Sequence, residues 1–188
     1  MDRIIFHCDL NCFYASAELL DHPELRHLPV AVCGDPESRH GIILAKNEPA
    51  KGFGVKTAET IWQARKKCPE LVLLPAHHDK YRRLSRQVGE IYREYTDLVE
   101  PFGIDESWLD LTGSLHLFGG DAVALADGLR DRLRRELGLT ISVGVSFNKV
   151  FAKLGSDYKK PDATTVITRE NFRQIVWPLP VSDLLYVG

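Results

Sequence analysis

An α+β fold is what this 188-residue sequence predicts, on three observations. Apolar runs of strand length are mixed with amphipathic stretches of helical spacing. Their order is not a clean βαβα alternation, so strands and helices should form layers around a mixed sheet. No internal repeat or low-complexity tract interrupts the series, and a 44% hydrophobic content is enough to bury a respectable core.

The elements follow in chain order. Ile4, Ile5, Phe6 and Cys8 make an apolar run ending at Asp9, as in a strand buried on both faces. Phe13, Ala17 and Leu20 then recur at helical spacing until Asp21-His22-Pro23 stops them. LPVAVCGD and GIILAKN read as the second and third strands, separated by the polar turn-forming loop Asp35-Pro36-Glu37-Ser38-Arg39. Residues 60–67 make a short helix and LVLLP a fourth strand. Over residues 81–99, Leu84, Val88, Ile91, Tyr95 and Leu98 form the clearest amphipathic stripe in the chain. Pro101 and Gly103 end it, and IDESWLDLTG follows as a strand with a turn. Residues 121–137 carry a leucine stripe (Leu125, Leu129, Leu133, Leu137) that stops at Gly138. LTISVGVS is a strand, residues 148–157 a helix, and ATTVIT a final strand. Residues from about 77 to 168 therefore read as one layered sheet, and 13–76 as a separate insertion.

Several classes are set aside by composition. No stretch approaches the 18 or so uninterrupted apolar residues of a membrane span, and no cleavage site follows the N-terminal run. Cys8, Cys12, Cys33 and Cys68 lack metal-site spacing and read as reduced thiols of a cytoplasmic protein. The net charge of −2 hides a local excess, because residues 148–160 hold four lysines and one aspartate.

Asp9 at one strand end and Asp105-Glu106 at the start of another are poorly placed to serve a core, since an unpaired buried charge is costly. If they converge, they make an all-oxygen site suited to Mg²⁺ or Mn²⁺. Successive side chains on a regular strand face opposite ways, so Asp105 and Glu106 can share a site only at a distortion. Pro101 and Gly103 just upstream supply one. On spacing alone, ordinary surface acids remain the commoner outcome.

Five ordered segments carry more weight: FHCDLNCFYASAE, LPVAVCGD, GIILAKNEPAKGFGVKT, EPFGIDESWLDLTGS and SVGVSFNKVFAKLGSDYKKP. Together they resemble the Y-family of translesion DNA polymerases, and within it the DinB, or DNA polymerase IV, branch. The resemblance implies a palm from residues 1–12 and 77–168, fingers from 13–76 and the start of a thumb at 169–188. Its palm is an antiparallel or mixed sheet with helices on one face, and its fingers a small α/β subdomain. VSDLLYVG ends on an apolar run, and the little finger of the family is expected to lie outside this chain.

Carried over by position, the resemblance makes Asp9, Asp105 and Glu106 the catalytic carboxylates, holding two Mg²⁺ ions that Mn²⁺ can replace. The Leu10 carbonyl is a further ligand. Tyr14 matches the steric gate that excludes a ribose 2′-hydroxyl. Lys160 matches the triphosphate-binding lysine, with Lys51 and Phe13 as further nucleotide contacts, although Phe13 on a helix face reads more readily as core. Lys149 and Lys153, four residues apart on one helix, would meet phosphates of DNA. The implied partners are primer–template DNA, dNTPs and a sliding clamp reached through the C-terminal region, with no membrane.

The sequence also departs from the family pattern. Many relatives carry Tyr and Arg in an N-Y-x-A-R stretch that touches the triphosphate, whereas this chain has Asn47-Glu48-Pro49-Ala50-Lys51. Lys51 keeps the charge without the bidentate fork of arginine, and Glu48 repels phosphate unless it turns away. Asn11 stands where many relatives have a second Asp, and Gly103 where Ser is usual. The expected activity is error-prone DNA synthesis past lesions. Two alternatives are another palm-type nucleotidyl transferase, such as a cyclic-nucleotide synthase, and a non-catalytic DNA-binding or partner-docking paralogue.

Overall fold

The computed structural model describes residues 2–37 and 41–187. Ser38 and Arg39 of the expected polar loop lie outside the described residues. The chain divides into two units, Met1–Asn11 with Ser85–Gly188, and Cys12–Leu84.

The first unit is built on a five-stranded mixed sheet in the order β5-β6-β1-β7-β8. Its strands are β1 (Ile5–Leu10), β5 (Val99–Phe102), β6 (Glu106–Asp110), β7 (Ile141–Ser146) and β8 (Thr164–Ile167). β1 is the centre, antiparallel to both β6 and β7, while β8 adds in parallel to β7. All six residues of β1 are buried, as expected for a strand covered on both faces.

Alternation along β1 sorts the faces. Ile5, His7 and Asp9 point one way, with the cross-strand partners Trp108 and Glu106 of β6. Helix α6 (Lys149–Tyr158) covers this face, where Ile5, Trp108 and Ala152 form a small cluster joined by Phe102. Cys8 and its neighbours point the other way, toward the two long helices of this unit. Tyr92 of α4 (His78–Arg93) is buried beside Cys8 there. Asp127 and Arg130 of α5 (Ala122–Leu137) bond to Thr164, whose partner in β7 is Val143.

α6 lies unusually close to β7, and two glycines explain it. A Cβ on Gly144 would stand 1.8 Å from the Ala152 carbonyl oxygen and 2.5 Å from the Ser156 nitrogen. One on Gly155 would stand 3.1 Å from the Gly144 Cα. The helix backbone therefore rests on the strand backbone, which fixes how high Lys153 and Ser156 sit above β1.

The helix ends follow their caps. Asn148 accepts from Phe151 N at the start of α6, and Asp121 accepts from Val123 N and Ala124 N at the start of α5. Gly138 closes α5 with φ 67°, a conformation that glycine adopts without strain. Asp121→Ala is expected to cost about 1 kcal/mol, read as a lower urea midpoint at unchanged slope. Beyond these, α7 (Phe172–Val176), which the apolar pattern does not announce, is tied to α6 by Phe172 stacked on Phe151 at 5.7 Å.

The second unit has a three-stranded sheet, β3 (Ile43–Lys46), β2 (Val30–Cys33) and β4 (Val72–Pro75), with β2 antiparallel to β3 and parallel to β4. Its helices include α1 (Phe13–Glu18), α2 (Glu48–Gly52) and α3 (Ile61–Lys67), and the first turns of α4 belong to it. Ala31, Cys33, Ile43, Ala50, Val55, Ile61, Ala64 and Leu71 make its core. Thr60 and Gln63 form a reciprocal capping box at α3. The four cysteines are free thiols. Among the described residues, no helix is long and apolar enough to cross a membrane.

One expectation is corrected. The helix expected over residues 81–99 ends at Arg93, and Val99, Glu100, Pro101 and Phe102 form the edge strand β5. Thr96 captures the chain by donating to the Asp110 carbonyl, and Asp110 N donates in turn to the Leu98 carbonyl. Proline is tolerated on an edge, where its missing N–H faces no partner strand. A further helix, α2, follows β3 in a stretch whose spacing announces no element. Asn47 caps it by accepting from Ala50 N, and Pro49 occupies its first turn.

Candidate active site

Asp9 and Glu106 are direct partners across β1 and β6, so their side chains share one face. Asp105 lies just before β6, in the turn that follows Phe102, and its carbonyl accepts from Leu10 N at 3.0 Å. Gly103, at φ 76°, shapes this turn and supplies the distortion the sequence called for. On the opposite face of the sheet, a cavity of about 150 Å³ lined by Leu10, Val88, Tyr92, Ile104 and Asp105 lies behind the turn.

Cations answer these acids. Lys160 Nζ lies 2.6 Å and Lys153 Nζ 3.2 Å from Asp9 Oδ2. Lys153 also lies 2.7 Å from Glu106 Oε2, and Asp157 pairs with both lysines. Burial alone would lower the pKa of Lys160, but Asp9 and Asp157 outweigh it and hold it above the ordinary value. Lys153 is raised for the same reason, against the same burial penalty, by Glu106, Asp9 and Asp157.

Asp105 and Glu106 do not titrate alike. Burial and the neighbouring charges of Asp9 and Glu106 push Asp105 up to about 6. Burial would push Glu106 up as well, yet the His7 ring and the Lys153 ammonium hold it at about 2. His7 is fully buried, and its Nδ1 lies 2.7 Å from Ser156 Oγ. That hydroxyl also lies 2.8 Å from the Lys153 carbonyl. The other ring nitrogen, Nε2, lies 3.0 Å from Glu106 Oε2. His7 was missed in the sequence, although period-two spacing places it on the face of Asp9. Asp157 could have been found as the residue four after Lys153.

Among the described residues, no three His, Cys, Asp or Glu side chains form a closed ligand group. The donor set nevertheless suits a hard divalent cation: the donors are carboxylate oxygens, and burial together with their mutual repulsion raises Asp105.

The basic helix face expected of Lys149 and Lys153 is not free. Lys153 turns inward to the carboxylates, while Lys149 pairs with Glu100 at 2.6 Å and lies over the Trp108 ring. The local positive excess read from residues 148–160 is thus largely answered by acids brought in from β1, β5 and β6.

The remaining candidates belong to the second unit. Tyr14 is half-buried and stacks on Tyr81, with centroids 4.1 Å apart and planes 12° from parallel. Phe13 is 3% exposed and packs in the core, which leaves its ring no surface for a nucleotide. Lys51 Nζ sits 2.6 Å from Glu48 Oε1, which also accepts from the Cys12 thiol at 3.2 Å. Glu48 is therefore spent on its own helix rather than aimed outward as a lone acid.

The impB/mucB/samB family model matches residues 8–157. A DNA polymerase IV of Acetivibrio thermocellus is 60% identical over all of this chain and 47% of its own length. DNA polymerase IV 1 of Bacillus subtilis is 45% identical over 99% of this chain and 44% of its own. The chain thus spans about half the length of the curated relatives it matches. Among solved structures, DinB from Sulfolobus solfataricus superposes with a TM-score of 0.90 at 24% identity, covering 98% of this chain and 54% of that one, a likeness of fold. With its acids, turn and lysines set on that fold and matched from residue 8 to 157, the chain belongs to the impB/mucB/samB family.

Proposed function

We propose that this chain supplies the catalytic half of a cytoplasmic, template-directed, error-prone DNA polymerase that copies past lesions. The observation that carries this reading is the pairing of Asp9 with Glu106 on one sheet face, with Asp105 in the adjoining turn and Lys160 on Asp9. The first unit is read as the palm, leading into a thumb over residues 169–188, and the second as the fingers.

Asp9, Asp105 and Glu106, with the Leu10 carbonyl, would hold two divalent ions, magnesium with manganese as a substitute. Such ions, when bound, acidify the attacking primer 3′-hydroxyl and neutralise charge on the dNTP triphosphate. The chain's own residues do the rest. Lys160, whose ammonium rests on Asp9 and Asp157, would turn to the triphosphate, and Lys153 would stay beside Asp157 at the base of the site. Tyr14 presents a stiff ring to the sugar and rejects a 2′-hydroxyl by clash. Lys51 contributes to triphosphate binding only when its pair with Glu48 opens, a small cost because exposed pairs are worth about 0–1 kcal/mol. Lys149, on the outer end of α6, is the contact for DNA phosphate.

Primer extension by the full-length protein tests this. The expected result is extension that requires template, dNTPs and a divalent cation. Nucleotide turnover without DNA, or DNA binding with no extension under any divalent cation, would overturn it.

A further inference from the structure

The second unit holds a buried carboxylate that the proposed chemistry does not use. Glu18, the last residue of α1, is 3% exposed. Its Oε1 accepts from the Tyr81 hydroxyl at 2.5 Å, and its Oε2 lies 3.1 Å from His77 Nδ1 and 3.5 Å from Lys80 Nζ. The Tyr81 hydroxyl accepts in turn from His77 N at 3.1 Å.

The arrangement is a clamp with two jaws on one helix. Tyr14 and Glu18 are four residues apart on α1 and so project to the same side. Tyr14 lies flat on the Tyr81 ring, while Glu18 grips the hydroxyl at its far end. Phe13 and His78 touch Tyr81 at 6.1 Å and 5.7 Å in tilted and edge-on contacts. Tyr81 is completely buried, and burial followed by the Glu18 bond raises its pKa, so the hydroxyl keeps the proton it donates.

We propose that Glu18 is a positioning residue for sugar selection: by fixing the Tyr81 hydroxyl it fixes the plane on which the Tyr14 ring rests. This rests on the reading of Tyr14 as the ring that excludes a ribose 2′-hydroxyl. Exclusion by clash works only while the ring cannot swing, and a looseness of about 1 Å is enough to spoil a site of this kind. Besides Tyr81, the Tyr14 ring meets His78 edge-on at 5.9 Å and Phe13 at 5.7 Å, contacts that leave its plane to be set by the flat stack. The flat contact with Tyr81 supplies that stiffness, and Tyr81 keeps its orientation because its polar end is tied by Glu18 and His77 N–H. Lys80, bonded to Asp21 at 2.6 Å and close to Glu18, compensates the buried charge.

The test compares kcat/KM for a dNTP with that for the matching rNTP in full-length protein, using Tyr14→Ala, Tyr81→Phe, Glu18→Ala and Glu18→Gln. Loss of fold lowers both constants together, whereas a loosened ring changes their ratio. Tyr81→Phe keeps the stacked ring and deletes only the hydroxyl. The ratio of dNTP to rNTP use is expected to fall at least about 10-fold in Tyr81→Phe and Glu18→Ala, equivalent to about 1.4 kcal/mol of discrimination. Glu18→Gln, whose amide oxygen can still accept from Tyr81, should recover most of it. If Tyr14→Ala relaxes the ratio while Tyr81→Phe and Glu18→Ala keep the wild-type value, the role of Glu18 is refuted and the reading of Tyr14 stands. If Tyr14→Ala leaves the ratio unchanged, the reading of Tyr14 fails and takes this inference with it. Should Glu18→Ala not fold, Tyr81→Phe decides alone.

Discussion

Gly144→Ala is expected to lower the stability of the first unit by on the order of 4 kcal/mol, in the exceptional range for a single added methyl group. The new Cβ would meet the Ala152 carbonyl at 1.8 Å and the Ser156 nitrogen at 2.5 Å. Both obstacles are helix backbone, so no rotamer change relieves the overlap, and α6 must lift from β7 as a body. Lifting α6 draws Lys153 from Asp9 and Glu106, and Ser156 from His7. A change in the middle of β7 should therefore damage the carboxylate site without touching a carboxylate. Trp108 donates from Nε1 to the Lys149 carbonyl and so reports on the same contact. Urea unfolding followed by tryptophan fluorescence measures both effects. A midpoint within about 1 kcal/mol of wild type would show that α6 does not rest on β7 as described.

Asp105→Asn should yield a protein that is inactive and, without divalent ions, more stable than wild type. On the proposed reading, primer extension falls by about 10³-fold or more, the scale seen when a principal group stabilising transition-state charge is lost. Stability moves in the opposite direction for an electrostatic reason. Burial and the charges of Asp9 and Glu106 move the Asp105 carboxyl from 3.8 to about 6 in the folded protein. Below pH 3.8 it is protonated in the folded and unfolded chain alike, and the variant gains nothing. Above about pH 6 the folded wild type carries the full cost of the charge, on the order of 3 kcal/mol at 1.36 kcal/mol per pH unit. Asparagine removes that cost. In EDTA the variant should melt higher than wild type at pH 7.5, and the advantage should shrink as the pH falls through the window from 6 to 3.8. Added Mg²⁺ should raise the wild-type melting temperature more than that of the variant. A variant that melts lower than wild type at pH 7.5 in EDTA would refute this account of the site.

The parts of the fold legible in the sequence are those whose signals are local. Asp121 and Gly138 bracket α5, and Asn148 opens α6, because caps act on backbone groups a few residues away. The end of α4 was not legible for the opposite reason. Tyr95 and Leu98 continue the helical spacing, yet Tyr95 packs on Phe118 and Leu98 is 64% exposed. The path of the chain here is decided by the ties of Thr96 and Leu98 to Asp110 of β6, which no local pattern reveals. In the candidate site, the acids are named from the order of their motifs, and Asp9 and Glu106 are cross-strand partners. The direction of the lysines is not in the sequence. Spacing places Lys149 and Lys153 on one side of a helix, whereas only the Gly144–Gly155 approach shows that Lys153 is pressed onto Asp9. His7 and Glu18 were passed over because a buried polar residue is recognised by its partners, and those lie 149 and 63 positions away.

The central position of β1 also bears on how the protein is made. Residues 12–84 are contiguous and can begin to fold as soon as they leave the ribosome, whereas β1 needs β6 and β7 on its two sides. Ser146, the last residue of β7, follows Leu84 by 62 positions (146 − 84), roughly 3–12 s of synthesis at about 5–20 residues per second. Until β7 is made, Ile5, Phe6, Cys8 and Leu10 form a strand-prone segment with at least one edge unpaired, a hazard for a nascent chain. His7 and Asp9 interrupt the apolar run at alternate positions, as gatekeeper residues do in aggregation-prone segments. The carboxylate that faces Lys160 in the finished protein thus protects the strand that bears it while the strand waits for its partners.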